Sequence, residues 1–455
     1  MTRVLFVSHD VIGPSMAGPG IRYVHLARAL ARALGADGYV TLAAPDDSSF
    51  STPELGFQRY ARRDWPSLRA AALASDVIIA PSDIASDLPQ LADCAAAIVI
   101  DGYDPLLSEW LALHAHHPLD HQMTWWADRQ RQLKLQLWLG DRFICASERQ
   151  RDWWLGMLET AARINPLTMA QDRTLRALVD VVPYGLPEAP PQRTGTAIKG
   201  VWPGIGMDDK VVLWGGGLWS WLDPLTAIHA IDLVRRERAD VRLVFPGTRH
   251  PNPMLKDMPT QVAAAQALSN ALGLTDRHVF FGDWIPHAEW PNVLLDSDAA
   301  VSLHFDTLET RLAFRSRILD YIWAGLPTLC SAGDATGELV QHFSVGSVTP
   351  IGDAQAVAAA LLRWLALPKD PARFLRAQKT LTWDNAVQPL AAFCRAPAPA
   401  PDRAQARAQF QIHLEAEPLR TISVLRTERD RLQSLVAAYE NGRFIKLMKR
   451  LKGRG

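Results

Sequence analysis

Short apolar runs recur along the first part of the chain, at 4–8, 76–81, 97–102, 142–147 and 179–185, each ending in Ser, Pro or Gly. Runs without polar alternation suit strands covered on both faces, so they predict a parallel sheet between layers of helix. Between them, 23–34 places Val24, Leu26, Ala27, Leu30 and Leu34 at helical spacing, and 123–139 forms a second helical segment. A second series follows the polar, Pro- and Gly-containing stretch 187–206. Its strands are predicted at 211–214, 241–246, 278–282, 299–304 and 327–331, its helices at 224–238, 261–272, 288–296 and 314–324.

Strand and helix alternate twice over, so the expected fold is α/β: two doubly wound, Rossmann-like domains, 1–186 and 205–380, facing across a cleft. Ligands in such sheets bind outside the carboxyl ends of the strands. Beyond them, Ala396-Pro-Ala-Pro-Ala-Pro401 opens a Pro/Ala-rich segment, 396–420, which by composition is a semi-rigid extended spacer. The last segment, 421–455, reads as a basic amphipathic helical tail with Phe444, Leu447, Met448 and Leu451 on one face. Its part 426–455 carries nine Lys and Arg against three acids, which suits an anionic membrane surface or a protein partner.

The 455 residues hold 48 Lys and Arg, 48 Asp and Glu, and 48% hydrophobic residues. That balance excludes a disordered, collagenous or nucleic-acid-coating chain. Four widely spaced cysteines, Cys94, Cys145, Cys330 and Cys394, fit neither a disulfide framework nor a thiolate zinc site and point to a reducing compartment, the cytoplasm. The apolar run at the start is too short for a secretory leader, and no stretch approaches the ~18 apolar residues of a membrane span.

Candidate chemistry begins after the first strand, where small residues from Gly13 to Gly20 lead into a helix. Gly18 and Gly20 let backbone approach a ligand, and free N–H groups at a helix start favour phosphate or carboxylate. A plain tight connection fits this loop as well. Gly215-Gly216-Gly217, followed by Trp219 and Trp221, repeats the device in the second domain. The densest cluster runs from His304 to Pro327: a polar loop with Glu309 and Arg311, then Arg315, Arg317 and Asp320 on a helix. Arg317 and Asp320, three apart, share a face where they can pair with each other or with a ligand. Asp101 and His9 close first-domain strands and are candidates for contact with an acceptor or a transferred sugar. Asp296-Ser-Asp298 has the D-x-D form of metal-dependent transferases, yet its place at a helix end favours capping. His114–His117 reads as a solvated loop.

The run Arg317-Ile-Leu-Asp320-Tyr-Ile-Trp-Ala-Gly325-Leu-Pro327 resembles the signature segment of retaining, family 4-like glycosyltransferases of the GT-B architecture (glycosyl transferases group 1). Pro183-Tyr-Gly185 resembles their hinge. Trp383, in 381–395, falls in a segment of the kind that crosses back to the first domain. The resemblance implies a retaining, metal-independent transferase, hexosyl or deoxyhexosyl in type, without a cofactor. It would move sugar from a nucleoside-diphosphate sugar to a glycan or lipid-linked acceptor in cell-surface polysaccharide synthesis, in the cytoplasm or at the inner face of the membrane, with no nucleic-acid partner. It implies that Asp320 accepts from ribose hydroxyls, that Glu309 is the carboxylate nearer the donor sugar and that Arg317 lies near the donor phosphates. Trp219 and Asp223 stand near where these enzymes carry an Arg and a Lys, so the missing charge would come from Arg249, Arg315 or Arg317. The alternatives are a catalytically silent GT-B scaffold and a sugar-nucleotide epimerase.

Overall fold

The structure, a computed structural model, describes residues 1–14, 16–50, 52–249 and 258–416, with the isolated positions 429, 432, 433 and 436. It divides into two compact units, Met1–Asp402 and Arg403–Gly455. The first unit contains two parallel sheets.

The first sheet has seven strands: β1 (Thr2–Val7), β2 (Gly38–Pro45), β3 (Gly56–Tyr60), β4 (Val77–Pro81), β5 (Ala97–Asp101), β6 (Arg142–Cys145) and β7 (Val179–Val181), ordered β3-β2-β1-β4-β5-β6-β7. The second has six: β8 (Lys210–Leu213), β9 (Val241–Pro246), β10 (Val279–Gly282), β11 (Ala299–Ser302), β12 (Thr328–Ser331) and β13 (Gly346–Thr349), ordered β10-β9-β8-β11-β12-β13. In each sheet the strand order reverses beside the first strand, between β1 and β4 and between β8 and β11. The loops leaving those strands diverge there and open a crevice at the carboxyl end.

The central strands are buried throughout, as their unbroken apolar runs require. The strands that pattern alone does not reveal are β2, β3 and β13. The outer ones carry polar residues because one side of an edge strand meets solvent, as in Gly56-Phe-Gln-Arg-Tyr60 and Gly346-Ser-Val-Thr349. The helix Gly18–Leu34 begins ahead of the predicted 23–34, with Pro19 in its first turn, where a missing N–H costs nothing.

The segment 381–395 returns to the first domain as two short helices, Trp383–Ala386 and Gln388–Arg395. Leu186 pairs with Thr382 as an isolated parallel bridge, the Trp383 ring stacks on His25 with centroids 5.4 Å apart, and Arg395 donates to the Ala33 carbonyl at 2.8 Å. Gly185 allows this approach, because a Cβ there would lie 2.4 Å from the Trp383 nitrogen.

The Pro/Ala-rich segment differs from a free spacer. The Ala400 N–H donates to Asp141 at 3.1 Å, and Asp402 takes Arg163 with both oxygens, at 2.9 and 3.1 Å, in a fully buried pair. Residues 396–402 are thus strapped to the first domain, and the second unit begins with a helix at 403–416. The tail 421–455 lies outside the described residues apart from the isolated positions given above. Among the described residues no helix is long and apolar enough to cross a membrane, and the four cysteines are buried.

Candidate active site

A cleft of 1120 Å³ lies between the two domains at the strand carboxyl ends. Its first-domain wall is built from the loops after β1, β4 and β5 and from the start of the helix Gly18–Leu34. His9, after β1, pairs with Asp83, after β4, at 3.2 Å. Burial alone would disfavour the imidazolium, but the Asp83 charge and hydrogen bond outweigh it and raise His9 to about 9. Asp104 and Glu109 line the same wall. Burial pushes Asp104 up to about 7, and burial together with the neighbouring carboxyls pushes Glu109 well above its ordinary range.

The second-domain wall is the loop after β8 set against the helix Ser316–Trp323. Gly215, Gly216, Gly217, Trp219 and Trp221 line it. Gly216 sits at φ +81°, a conformation open to glycine and strained for other residues. The Gly215 N–H donates to the Tyr321 hydroxyl at 2.7 Å, which ties the loop to that helix. Arg317 reaches across to the same loop: one nitrogen lies 3.4 Å from the Gly217 carbonyl, and the guanidinium stands 5.9 Å from the Trp214 ring centroid. Its other terminal nitrogen is buried with no partner among the described residues. Burial lowers Arg317 to about 10, where it is still a cation at neutral pH. Asp320 accepts from the Trp290 indole at 3.0 Å, and burial raises it to about 6 against the pull of Trp290 and Arg317. Arg317 and Asp320 therefore share a face, each with its own partner. Trp219 and Trp221 stack with centroids 5.7 Å apart.

Tyr184, in the hinge, joins the walls. Its hydroxyl donates to the Gly18 carbonyl, and its ring lies 6.5 Å from Phe314, just before the helix Ser316–Trp323, and 5.3 Å from Trp383.

The structure thus brings His9, Gly18, Gly215, Gly216, Gly217, Trp219, Arg317 and Asp320 together at one cleft. Other candidates are placed elsewhere. Glu309 is buried in a short helix, Leu308–Leu312, that replaces the expected polar loop, and both its oxygens are taken by Arg315 at 2.9 and 2.6 Å. The two charges satisfy each other, and neither residue lines the cleft. Asp101 is likewise held by Arg22, at 2.8 Å to each oxygen, with both side chains at 0% exposure. Arg249 is 86% exposed and near Asp283, away from the cleft lining. Gly20 is buried in the first turn of its helix, where a Cβ would meet the Val11 carbonyl at 3.0 Å, so its role is packing.

Asp223 accepts from the Thr226 N–H at 3.0 Å and caps the helix Pro224–Val234. Asp296 and Asp298 hold the chain at the domain junction through the N–H groups of Ala197, Ile198 and Val211. Among the described residues no group of three or more His, Cys, Asp or Glu is arranged to hold a metal.

The sequence reading missed Asp83, Asp104, Glu109 and Trp290. A signal existed for the first two: each follows a strand end by two or three residues, the same rule that singled out His9. Glu109 and Trp290 arrive from helices whose facing only the tertiary fold decides.

Residues 209–366 match the family described as Glycosyl transferases group 1. No curated protein matches the chain. Among solved structures, sucrose-phosphate synthase from Thermosynechococcus elongatus is 16% identical, covers 92% of this chain and 100% of its own, and superposes with a TM-score of 0.52. The Anabaena protein HepE in complex with UDP-glucose is 15% identical, over 91% of this chain and 100% of its own, with a TM-score of 0.54. WaaG, a glycosyltransferase involved in lipopolysaccharide biosynthesis, is 14% identical, over 87% and 100%, with a TM-score of 0.56. At such identities the likeness is one of fold: the chain has the GT-B architecture, and its second domain carries the match to glycosyl transferases group 1.

Proposed function

We propose that the protein is a glycosyltransferase that moves a hexosyl or deoxyhexosyl group from a nucleoside-diphosphate sugar to a glycan or lipid-linked acceptor. The observation that carries this reading is the second-domain wall, where Arg317, with a buried nitrogen unpartnered among the described residues, faces the glycine loop within the segment that matches the family. A diphosphate would meet the cation and the N–H groups of Gly216 and Gly217, and charge-assisted bonds of this kind are the strong ones. Asp320 would accept from the ribose hydroxyls. HepE, by its description a complex with UDP-glucose, supports a nucleotide-sugar donor.

Transfer would retain configuration by front-side attack. The acceptor hydroxyl attacks the sugar carbon from the side of the departing diphosphate, which takes up its proton. The protein then contributes positioning and stabilisation of the developing negative charge, Arg317 from one wall and the His9 imidazolium from the other. No metal is required by this scheme. Synthesis of a cell-surface polysaccharide at the inner membrane face would suit a lipid-linked acceptor.

The second reading is a silent GT-B scaffold. It is favoured by Asp223, whose carboxylate caps a helix near where a cationic clamp is expected, and by Arg249, which stands away from the cleft. A thermal-shift screen against UDP, GDP, dTDP, ADP and CMP, with and without Mg²⁺, separates them. Ligand at ~100 times its dissociation constant adds ~2.7 kcal/mol. Stabilisation by one nucleoside diphosphate, independent of Mg²⁺ and lost in Arg317→Ala, is the expected result. No shift with any of them favours the scaffold.

A further inference from the structure

We propose that the stacked pair Trp219 and Trp221 forms the subsite for the transferred sugar and selects a 6-deoxyhexose, whose methyl-bearing face packs on the Trp219 indole. The inference rests on the proposed function and narrows its donor. It starts from the order of parts along the second-domain wall. Asp320 and Arg317 lie one turn apart on the helix Ser316–Trp323. A terminal nitrogen of Arg317 stands 3.6 Å from the point where a Cβ on Gly216 would sit, and the Trp219 indole stands 3.4 Å from the corresponding point on Gly217. Ribose, diphosphate and sugar follow one another in a nucleotide sugar. A ribose at Asp320 and a diphosphate at Arg317 and Gly216 therefore carry the sugar onward to Gly217 and Trp219.

That place is aromatic. Trp219 and Trp221 lie 17° from parallel, Trp221 is buried, and both line the cleft. Leu113, on the first-domain helix Leu106–His114, also lines the cleft and packs against the cluster of buried side chains that includes Trp221. The carboxylate expected beside the donor sugar, Glu309, is bound instead to Arg315 by both oxygens. Among the described residues Asp320 is the one carboxylate of the second-domain lining, whereas five of the chain's 16 tryptophans belong to it. The first-domain wall supplies a polar partner from the other side: Glu109 lines the cleft one turn before Leu113 on the same helix. The subsite thus has an aromatic floor and a polar edge. A sugar hydroxyl pressed on the floor gives up water without gaining a partner, while a methyl group there buries apolar surface. A 6-deoxyhexose matches this division, because its C6 methyl and the adjoining C–H bonds form an apolar face and its ring hydroxyls remain for the edge.

Calorimetric titration of the full chain tests the inference with pairs of donors that differ at C6 alone: UDP-glucose and UDP-6-deoxyglucose, dTDP-glucose and dTDP-6-deoxyglucose, GDP-mannose and GDP-6-deoxymannose. On the nucleotide that binds, the 6-deoxy partner is expected to bind about 10- to 100-fold more tightly, the range an apolar pocket reaches against an added hydroxyl. Trp219→Ala should weaken the 6-deoxy donor about tenfold and leave the free nucleoside diphosphate unchanged, which also shows that the variant is folded. Trp219→Phe, which keeps a ring face, should keep most of the preference. The proposal is overturned, with the donor reading intact, if the 6-hydroxy partner binds as tightly as the 6-deoxy one. It is overturned equally if Trp219→Ala weakens the free diphosphate as much as the sugar nucleotide, since the indole would then serve the phosphates. If no nucleoside diphosphate and no nucleotide sugar binds, the proposed function falls and the subsite falls with it.

Discussion

Asp320 is a carboxyl held against its own preference. Burial raises it from 3.8 to about 6, so between those values the folded protein binds a proton that the unfolded chain has released. Stability therefore falls as pH rises through this window, and the cost is fully present above about pH 6. Asp320→Asn should accordingly stabilise the unliganded protein by about 1–2 kcal/mol at pH 8 and by almost nothing at pH 4. The same change should weaken nucleoside-diphosphate binding. Thermal melts at the two pH values check the first claim, and a stabilisation of equal size at both would remove it. Strain of this kind at the proposed ribose-binding position would be the usual trade of stability for function. At this scale the sequence was informative where the chemistry is local: Arg317, Asp320 and the three glycines lie in a continuous motif or at a strand end. It misplaced Glu309, Arg315 and Asp101, because each was assigned by its distance along the chain from a strand or motif. Whether such a carboxylate turns to the cleft or to an arginine beneath it is decided by packing between elements.

The Arg22–Asp101 pair belongs to the scale of elements. It joins the helix Gly18–Leu34 to the end of β5, and Arg22 also donates to the Val182 carbonyl at 2.8 Å, just before the hinge. Tyr103 and Tyr184 lie over the guanidinium at 4.7 and 5.3 Å. Three elements that shape the first-domain wall are thus fixed by one cation. Asp101→Ala should cost about 3–5 kcal/mol in urea unfolding, since it leaves a buried charge uncompensated, whereas the pair of changes Arg22→Met, Asp101→Leu should recover much of that loss. A destabilisation below 1 kcal/mol for the single variant would refute the pair's structural role. The elements themselves were the most legible part of the chain, because strands buried on both faces write themselves as apolar runs. The omissions were β2, β3 and β13, and at the sheet margins solvent permits the polar residues that break the pattern.

For the molecule as a whole, the two-domain layout was visible in the sequence, while the fate of 396–402 was not. Alternating Ala and Pro gives an extended chain whether it is free or bound. The distinction rests on Asp402, whose partner Arg163 lies far away in sequence. Asp402→Ala should release this strap and destabilise the first unit by about 3 kcal/mol, as expected for a broken buried pair, with nucleotide binding unchanged. Limited proteolysis should then cut within 396–402, and resistance equal to the wild type would count against the strap.

The pairing of Leu186 with Thr382 carries a mechanical meaning. The second domain enters and leaves the first through two neighbouring chain segments joined by backbone hydrogen bonds, Leu186 N–H to the Leu381 carbonyl at 2.8 Å and Trp383 N–H to the Leu186 carbonyl at 3.1 Å. A single bridged pair of extended segments fixes the two chain crossings against each other, so that a shift of one is passed directly to the other. Any relative motion of the domains is expected to pivot at this bridge, and the bonds that cross the cleft margin, His287 N–H to the Pro14 carbonyl at 3.2 Å and Gln150 to the Leu312 carbonyl at 2.8 Å, would have to give as the cleft widens.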